Sequence, residues 1–317
     1  MILSLAPMEG ITGSSFRRVH AACFGALDRY YTPFLAPPRV GSGFGRKALN
    51  ELDLERNAGL DVVPQLLTKH ADEFVWAVRL LADMGYREVN LNLGCPSGTV
   101  VGKGKGSGFL RDPEALDAFL GEACARSPLP VSVKTRLGVS DDAEFGRILE
   151  TYCHHPLAEL IVHPRVREDF YKGAPRWEPY GEALERAPFS VAYNGDIFAP
   201  DDFERLTRAY PATRHVMMGR GILTNPALAR QLRGGTAASR EELRGFHDML
   251  LDAYEEEIGG NAVFRMKEWW SYAQYAFADP VAVHRAVRKV RRVDEYKAAA
   301  AGIFGGERLA DTSRFQG

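Results

Sequence analysis

The sequence predicts an α/β fold, a (β/α)8 TIM barrel followed by a small C-terminal helical bundle domain. Short apolar or β-branched runs alternate with helical patterns along residues 1–232, as expected for parallel strands joined by helices. The alternation stops at the Arg-Gly-Gly sequence of residues 233–235, and residues 236–302 carry a helical pattern throughout. A doubly wound sheet is the alternative, but no Gly-x-Gly-x-x-Gly opens the first helix.

Eight short apolar runs, each bounded by polar or turn-forming residues, are the predicted strands. They lie at residues 3–6, 29–32, 62–66, 88–93, 131–135, 160–162, 190–193 and 215–218. Helical patterns fill most of the connections, such as 71–84 and 113–126, and Pro113 suits the first turn of a helix. The long connection 34–61 contains two adjacent prolines and several glycines, which predicts an extended surface loop or a lid.

The composition, with 45% hydrophobic and 26% charged residues in 317, predicts a soluble globular protein with a large core. No apolar run approaches about 18 residues, so no membrane span is expected. The first residues lack the basic region of a signal peptide, and the four cysteines lack zinc-ligand spacing. We therefore expect a cytoplasmic protein that binds no metal, and we expect a monomer. The net charge of −1 means that any RNA-binding surface must be local.

The turn Gly94-Cys95-Pro96 is the most informative feature of the chain, because an apolar strand ends there and a glycine- and lysine-rich loop follows. Glycine permits a sharp turn and proline stiffens its exit, so the thiol should sit at the tip, beside Asn92. Exposure and electropositive surroundings mark reactive cysteines. The alternative is an ordinary turn in which the cysteine only fills space.

Polar side chains follow most of the predicted strands, and in a TIM barrel the carboxyl ends of the strands form the active site. In chain order these residues are Pro7, Met8 and Glu9; Gln65; Asn92 and Cys95; Lys134 and Arg136; His163 and Arg165; Asn194, Gly195 and Asp196; and Gly219, Arg220 and Gly221. Each could have a purely structural role, such as that of a hydrogen-bonded core histidine. Gathered at one rim, they predict a binding site.

The last two strand ends predict a phosphate site, because loops after strands 7 and 8 commonly hold a phosphate in this fold. Glycine-rich backbone there offers N–H donors, and Arg220 adds a guanidinium group. Lys134 could place a cation near an electron-rich ring and stabilise an anionic reduced flavin. Pro7 and Met8 would lie against one side of that ring. The residues thus predict a barrel that holds a phosphate-bearing cofactor facing a thiol.

Six motifs occur in order along most of residues 1–235. They are APMEG at 6–10, NLNLGCPS at 90–97, VSVKTRLG at 131–138, VH at 162–163, NGD at 194–196 and GRG at 219–221. Together they resemble the tRNA-dihydrouridine synthases. The Pro-Met-Glu-Gly start and the sequence MKEWW at 266–270 are most similar to the bacterial branch called DusC.

The resemblance implies an FMN-dependent barrel (residues 1–235) and a helical RNA-binding domain (residues 236–317). It also implies an activity, the reduction of the 5,6 double bond of specific uridines in tRNA. NADPH reduces the flavin, a hydride passes from flavin N5 to uracil C6, and Cys95 protonates C5. The protein would supply orientation and one acid, and a thiol suits proton donation near neutral pH.

Family positions carried over by motif give further residue roles. Pro7, Met8 and Glu9 would lie against the flavin, Gln65 and Lys134 at its isoalloxazine ring, and His163 near the ring or the substrate. Asn194, Gly195, Asp196, Gly219 and Arg220 would surround the phosphate, and Asn92 would hydrogen-bond the uracil edge. Arg136 and Arg165 fall at the substrate rim. The chain departs from the common family pattern there, with His-Pro-Arg-Val at residues 163–166, which leaves the target position open.

A uridine in folded RNA must leave its stack to enter a barrel, so a basic surface is needed to hold the rest of the RNA. Arg285, Arg288, Lys289 and Arg292 have the spacing of one helix face, with Val283, Val287 and Val290 on another. A solvated charged face is the alternative. Lys103 and Lys105 would lie nearer the extruded nucleotide. Trp269, Trp270, Tyr272 and Tyr275 are expected to pack the helical core.

Four other functions stay open. A flavin-dependent dehydrogenase of a free pyrimidine shares the barrel, but it has no use for a basic helical domain. Dihydrouridine synthesis in another structured RNA uses the same chemistry. A Schiff-base lyase built on Lys134, or an RNA-binding barrel without catalysis, would bind no flavin.

Overall fold

The computed structural model describes residues 1–315, and its barrel is a single sheet of nine strands that pair in parallel. The strands are β1 (Ile2–Leu5), β2 (Arg29–Tyr31), β3 (Val62–Val63), β4 (Gln65–Leu66), β5 (Val89–Leu93), β6 (Val131–Arg136), β7 (Glu159–His163), β8 (Ser190–Tyr193) and β9 (His215–Met218). Their order is β3-β2-β1-β9-β8-β7-β6-β5-β4. Every predicted strand is present, so the predicted TIM barrel is confirmed.

The barrel closes at Pro64, which separates β3 from β4 within the predicted strand 62–66. Proline has no N–H to donate, so the ladder is interrupted there. Its carbonyl still accepts a hydrogen bond from the Asn90 N–H at 2.9 Å. Nine strands therefore occupy eight positions around the barrel.

Within residues 1–315, fourteen α-helices cover the barrel and build the region that follows it. They are α1 (Ser14–Cys23), α2 (Arg46–Leu52), α3 (Ala71–Asp83), α4 (Gly98–Val101), α5 (Pro113–Arg126), α6 (Phe145–Cys153), α7 (Trp177–Arg186), α8 (Pro200–Ala209), α9 (Arg220–Thr224), α10 (Leu228–Leu232), α11 (Arg240–Ile258), α12 (Ala262–Ala273), α13 (Pro280–Val287) and α14 (Val293–Gly306). The helices predicted at 71–84 and 113–126 are confirmed to within one residue. The connection predicted as an extended loop also contains the short helix α2. No helix within residues 1–315 is long and apolar enough to cross a lipid bilayer.

The helices after the barrel pack directly on α1. The Phe246 ring lies edge-on to Phe16, with 5.7 Å between ring centroids, and the Tyr254 hydroxyl donates to the Ile11 carbonyl at 3.2 Å. Trp269 and Trp270 are buried in this region, as predicted. The boundary at residues 235 and 236 stays a prediction, and the last two residues of the second predicted domain lie outside the described part.

The helical pattern predicted to run without interruption through 236–302 is wrong at its basic end. Helix α13 ends at Val287, and the chain turns before α14 begins at Val293. The Lys267 ammonium donates to the Val290 carbonyl at 2.6 Å and so holds this turn in place. Since Lys267 lies on α12, local sequence periodicity could not show this contact.

Candidate active site

A cavity of about 390 Å3 opens at the carboxyl ends of the barrel strands. The structure brings together fourteen of the predicted site residues in its lining. They are Pro7, Met8, Glu9, Asn92, Cys95, Lys134, Arg136, His163, Asn194, Gly195, Asp196, Gly219, Arg220 and Gly221. Their convergence follows from the parallel sheet, because every strand delivers its carboxyl end to the same face of the barrel.

Asn92 holds the turn that carries the thiol. Its side-chain oxygen accepts hydrogen bonds from the backbone N–H groups of Gly94 at 3.1 Å and Cys95 at 2.9 Å. An asparagine that binds its own following backbone in this way stabilises a tight turn. The turn therefore fixes the Cα position of Cys95 at the wall of the cavity.

Gln65 is the one predicted cofactor residue that the structure places behind the wall rather than in it. The side chain is fully buried; it accepts from Asn92 Nδ2 at 2.7 Å and donates to Asn90 Oδ1 at 2.8 Å. Asn90 in turn donates to the Ser132 hydroxyl at 3.0 Å. Gln65 therefore positions Asn92, and its predicted role at the ring stays a prediction, because one amide hydrogen remains after these hydrogen bonds are counted.

The loop after Cys95 packs closely against it. The Ser107 hydroxyl donates to the Cys95 carbonyl at 2.8 Å. At Gly106, where φ is +57°, an added Cβ would lie 2.9 Å from that carbonyl oxygen and 3.1 Å from the Cys95 Cβ. A side chain there would push the turn away, so the glycine lets the loop support the thiol from behind.

The Cys95 thiol is half-buried, and this burial raises its pKa. The nearby Arg136 and Lys134 oppose the shift by favouring the thiolate, but desolvation is the larger effect. The sulfur therefore keeps its proton at neutral pH. A protonated thiol facing a cavity can act as an acid, whereas a nucleophile would need a lowered pKa.

Lys134 is a half-buried lysine that forms no salt bridge within residues 1–315. It extends from β6 into the cavity, and burial lowers the pKa of its ammonium group to about 7. The Arg136 guanidinium, two residues further along the strand, lowers the pKa further by repulsion. Such a group favours an anionic ligand, because a negative charge nearby would raise the pKa of the lysine again and keep it protonated.

Arg136 is held by the barrel itself and still faces the cavity. Its guanidinium donates to the carbonyls of Gly94 and Val166, each at 2.9 Å, and it lies 5.2 Å from the centre of the Tyr171 ring. The side chain is only 1% exposed, so it can contact a ligand inside the cavity but not the surface of a large RNA.

Arg165 is buried, which corrects its predicted placement at the substrate rim. Its guanidinium is 1% exposed and donates to Asp196 at 2.6 and 3.1 Å, and to the Lys172 carbonyl. It also lies 3.1 Å from His163 Nε2, which must accept this hydrogen bond. Burial, followed by the neighbouring cations, lowers the pKa of His163, so the imidazole is neutral. Arg165 therefore positions Asp196 and His163.

The predicted phosphate region lies between the ends of β8 and β9. The Asn194 amide donates to the Met217 carbonyl at 2.8 Å and so links the two strands. A Cβ added at Gly221 would lie 2.0 Å from the Ile197 carbonyl oxygen, so α9 can approach that loop only with glycine at this position. Arg220 begins α9 and donates to Asp196 at 2.5 Å. The first residues of α9, Arg220 and Gly221, line the cavity, and the first N–H groups of a helix have no partner within it.

Aromatic residues that the sequence analysis missed complete the lining. Tyr171 stacks on the His163 ring, with 6.0 Å between centroids, and lies under the Arg220 guanidinium at 5.1 Å. Tyr272 was expected in the helical core, but it lines the cavity together with Phe198 and Phe315. None of these aromatic residues directly follows a strand, which is how the other lining residues were identified. Only the tertiary fold brings them to the cavity.

The basic residues predicted to bind RNA lie outside the cavity. Lys103 is exposed and Lys105 is half-buried in the loop behind Cys95, where Lys69 approaches Gly104. Arg285, Arg288, Lys289 and Arg292 are all exposed. They do not share one helix face, since the last of them lies beyond the turn that ends α13, and Arg292 pairs with Asp294 at 2.9 Å.

Within residues 1–315, no group of three or more His, Cys, Asp or Glu could hold a metal ion.

The chain matches known proteins over most of its length. The family model described as "Dihydrouridine synthase (Dus)" matches residues 4–294. A protein of Cupriavidus necator named tRNA-dihydrouridine(16) synthase is 29% identical over 318 residues, covering 96% of this chain and 97% of the relative. A Bacillus subtilis protein named probable tRNA-dihydrouridine synthase 2 is 31% identical, covering 80% of this chain and 79% of the relative.

A solved structure, that of morphinone reductase, is similar in fold with a TM-score of 0.50 and 14% identity. It covers 75% of this chain and 87% of that chain, and the likeness concerns the fold alone. The family model, by contrast, covers the barrel and its predicted site together with the helices up to α14. The chain therefore belongs to the dihydrouridine synthase family.

Proposed function

We propose that this protein reduces the 5,6 double bond of uridine in tRNA to give 5,6-dihydrouridine, with FMN as cofactor and NADPH as reductant. The observation that carries the proposal is that one cavity is lined both by the Cys95 thiol, whose pKa is raised, and by Lys134, which forms no salt bridge with a described residue. Membership of the dihydrouridine synthase family supports the same chemistry.

The residues present fit a flavin mononucleotide. Lys134 offers its ammonium group to a ring that becomes anionic on reduction. Met8, which follows β1, offers an apolar surface to the same ring. Arg220 and the unpaired N–H groups at the start of α9 suit the phosphate. When bound, the reduced flavin supplies the hydride that adds to C6 of the uracil.

Cys95 supplies the other half of the reduction. Its thiol gives a proton to C5 of the uracil while the hydride adds to C6, so that the double bond gains one hydride and one proton. The raised pKa of the thiol keeps that proton available at neutral pH. The resulting thiolate lies near Arg136 and Lys134, which stabilise its charge until solvent returns the proton.

Asn92 and Arg136 orient the base. Each of them has an N–H group left after its described hydrogen bonds are counted, since the amide nitrogen of Asn92 carries two hydrogens and the guanidinium five. Uracil presents two carbonyl oxygens, which accept such donors. The His163 imidazole, neutral and stacked on Tyr171, closes this side of the cavity.

The RNA outside the cavity is held by exposed cations. Arg285, Arg288, Lys289 and Arg292, in the proposed RNA-binding domain of residues 236–317, and Lys103 and Lys105 beside Cys95 are the proposed contacts. Phosphate contacts of this kind dominate the affinity of proteins for RNA. A tRNA substrate also supports action in the cytoplasm, where we expect a monomer.

The proposed target is the uridine at position 16 of tRNA. The relatives named tRNA-dihydrouridine(16) synthase from Cupriavidus necator and Haemophilus ducreyi align with 96% and 93% of this chain. Their alignments include the helical region, which must set how the RNA enters the barrel. Mapping dihydrouridine in tRNA from cells with and without this protein tests the position. Loss of dihydrouridine at another position, with position 16 unchanged, would contradict it.

The purified protein tests the activity directly. Transcribed tRNA, free uracil and orotate are each offered with NADPH and FMN, and oxidation of NADPH is compared with dihydropyrimidine formed. We expect turnover of tRNA only. Turnover of a free base without turnover of tRNA would identify a free-pyrimidine dehydrogenase. A protein that takes up no FMN, with a borohydride-trapped substrate on Lys134, would identify a lyase.

A further inference from the structure

The chain returns to the cavity after its last helix. Residues 307–315, which we call the returning segment, first pair with the end of the α12 region. Leu309 forms an antiparallel bridge with Phe277, and the Ala310 N–H donates to the Ala276 carbonyl at 2.9 Å. The segment then crosses to the barrel.

An ion pair fixes the returning segment to the barrel. The Arg314 guanidinium donates to both carboxylate oxygens of Asp202 on α8, at 3.0 and 3.1 Å. Asp202 is 3% exposed, and it also accepts from the backbone N–H groups of Phe198 and Ala199 at 3.0 and 3.1 Å. One carboxylate thus joins the segment to the loop that follows β8.

Phe315 reaches the cavity from this anchor. Its ring is stacked on Tyr272, with 5.3 Å between centroids, and lies edge-on to Tyr275 at 5.2 Å. The Arg220 guanidinium lies 5.2 Å from the centre of the Phe315 ring. Phe315 therefore lines the cavity on the side where Arg220 is expected to meet the phosphate.

A second cavity, also of about 390 Å3, lies on the other side of Phe198. Residues 309–314 form much of its lining, and Phe198 lines both cavities. Phe315 lines only the site cavity, and its ring stacks on that of Phe198 at 6.5 Å between centroids. The two rings together therefore form the wall of the site cavity beside Arg220, on the side of the second cavity.

We propose that the returning segment is part of the cofactor site, with Phe315 closing the cavity beside Arg220 and slowing the release of bound FMN. This inference rests on the proposed function, since it requires FMN in the cavity. It assigns a binding role to an aromatic residue that lies outside the barrel and that no strand-end pattern identifies.

The test is the rate at which the holoprotein releases FMN, followed by flavin fluorescence after dilution into an excess of an apoprotein that traps free flavin. Phe315→Ala should increase the rate about two- to tenfold, because an aromatic contact of this kind contributes roughly that factor. Arg314→Ala should increase it in the same direction by releasing the anchor. The thermal unfolding midpoint of the FMN-free variants should match that of the parent protein.

Arg205→Ala is the matched control. Arg205 is the other arginine that pairs with Asp202, at 2.7 Å. Both residues belong to α8, so this ion pair does not include the returning segment. Its release rate should equal that of the parent. Equal acceleration by both arginine variants would mean that Asp202 acts through α8 alone, which would overturn the proposal.

Two further results would also overturn it. An unchanged release rate in Phe315→Ala would show that the ring is not part of the site. Slower release in that variant would show that Phe315 competes with the cofactor. In both cases the parent still binds FMN, so the proposed function would survive. If the parent binds no FMN at all, the proposed function fails and this inference fails with it.

Discussion

The side-chain oxygen of Asn92 accepts a hydrogen bond from the backbone N–H of Cys95, with a nitrogen–oxygen distance of 2.9 Å. Asn92 belongs to β5, so the thiol takes its position from a strand of the barrel. The amide of Gln65 holds Asn92 from behind at 2.7 Å. A chain of amides thus connects the barrel to the reacting group.

Cys95→Ala should separate the two halves of the reaction. FMN binding and reduction of the flavin by NADPH should be unchanged, because neither step needs the thiol proton. Reduction of uridine should slow by about 100- to 10,000-fold, the usual contribution of a general acid. Stopped-flow measurement of the two half-reactions distinguishes these effects.

Cys124→Ala provides the control for this variant, since Cys124 is a half-buried cysteine of α5 outside the cavity lining. It should leave both half-reactions unchanged. Normal uridine reduction in Cys95→Ala would exclude the thiol as the proton donor.

Gln65→Leu should impair catalysis through Asn92 and also lower stability. The substitution leaves Asn92 Nδ2 and Asn90 Oδ1 without their buried partner, which costs about 1–3 kcal/mol of unfolding free energy. The value of kcat for tRNA should fall while FMN affinity stays close to that of the parent. Urea unfolding, kinetics and FMN titration measure the three quantities. A large loss of FMN affinity with unchanged kcat would instead support direct contact between Gln65 and the ring.

The FMN-free protein should become more stable as the pH rises from about 7, and Lys134 should be a main cause. The unfolded chain keeps the lysine proton up to a pKa of about 10.5, whereas the folded chain releases it at about 7. Between these values the unfolded state binds more protons, so the free energy of unfolding rises with pH.

Lys134→Met removes this contribution. Between about pH 7 and about pH 9, the parent should gain up to about 2 kcal/mol of unfolding free energy relative to the variant. Urea unfolding of both proteins at each pH gives the comparison. Parallel pH profiles would show that the Lys134 pKa is not lowered in the folded protein.

Replacement of Arg285, Arg288, Lys289 and Arg292 by alanine should weaken tRNA binding and flatten its salt dependence. Each lost phosphate contact lowers the slope of log affinity against log salt by about 0.7–0.9. Affinities measured over a series of salt concentrations give the slope. Turnover at saturating tRNA should change little, because these residues lie outside the cavity.

Alanine at Arg87, Arg208 and Arg214 is the matched control for that surface. These residues are exposed, and they lie before β5, late in α8 and before β9, at the end of the barrel opposite the cavity. Their loss should leave the slope unchanged. An unchanged slope in the first variant would place the RNA surface elsewhere, for example near Lys103.

The sequence alone located the strands, because the alternation of short apolar runs and helices depends on local periodicity. It also identified the Cys95 turn and most of the cavity lining, since a parallel barrel brings all strand ends to one face. Lys134 and Asn92 could be found in this way because each lies near the carboxyl end of its own strand. The strand that contains each residue also places it in the cavity.

The sequence did not reveal which of these side chains are already engaged. Gln65 and Arg165 both occur at strand ends, yet their partners Asn92 and Asp196 come from other strands. The turn after Val287 is bound by Lys267 from another helix. Local patterns report what a residue favours, but not which distant group binds it.

The sequence by itself therefore determined the barrel, the thiol turn and the set of strand-end residues around a predicted cofactor. Only the tertiary structure decided that Gln65 and Arg165 lie behind the cavity wall and that Phe315 lines the cavity. The physical reason is that hydrogen bonds and aromatic contacts depend on distance in space. Phe315 meets Arg220 only because the helices after the barrel fold back onto α1 and return the chain to the cavity.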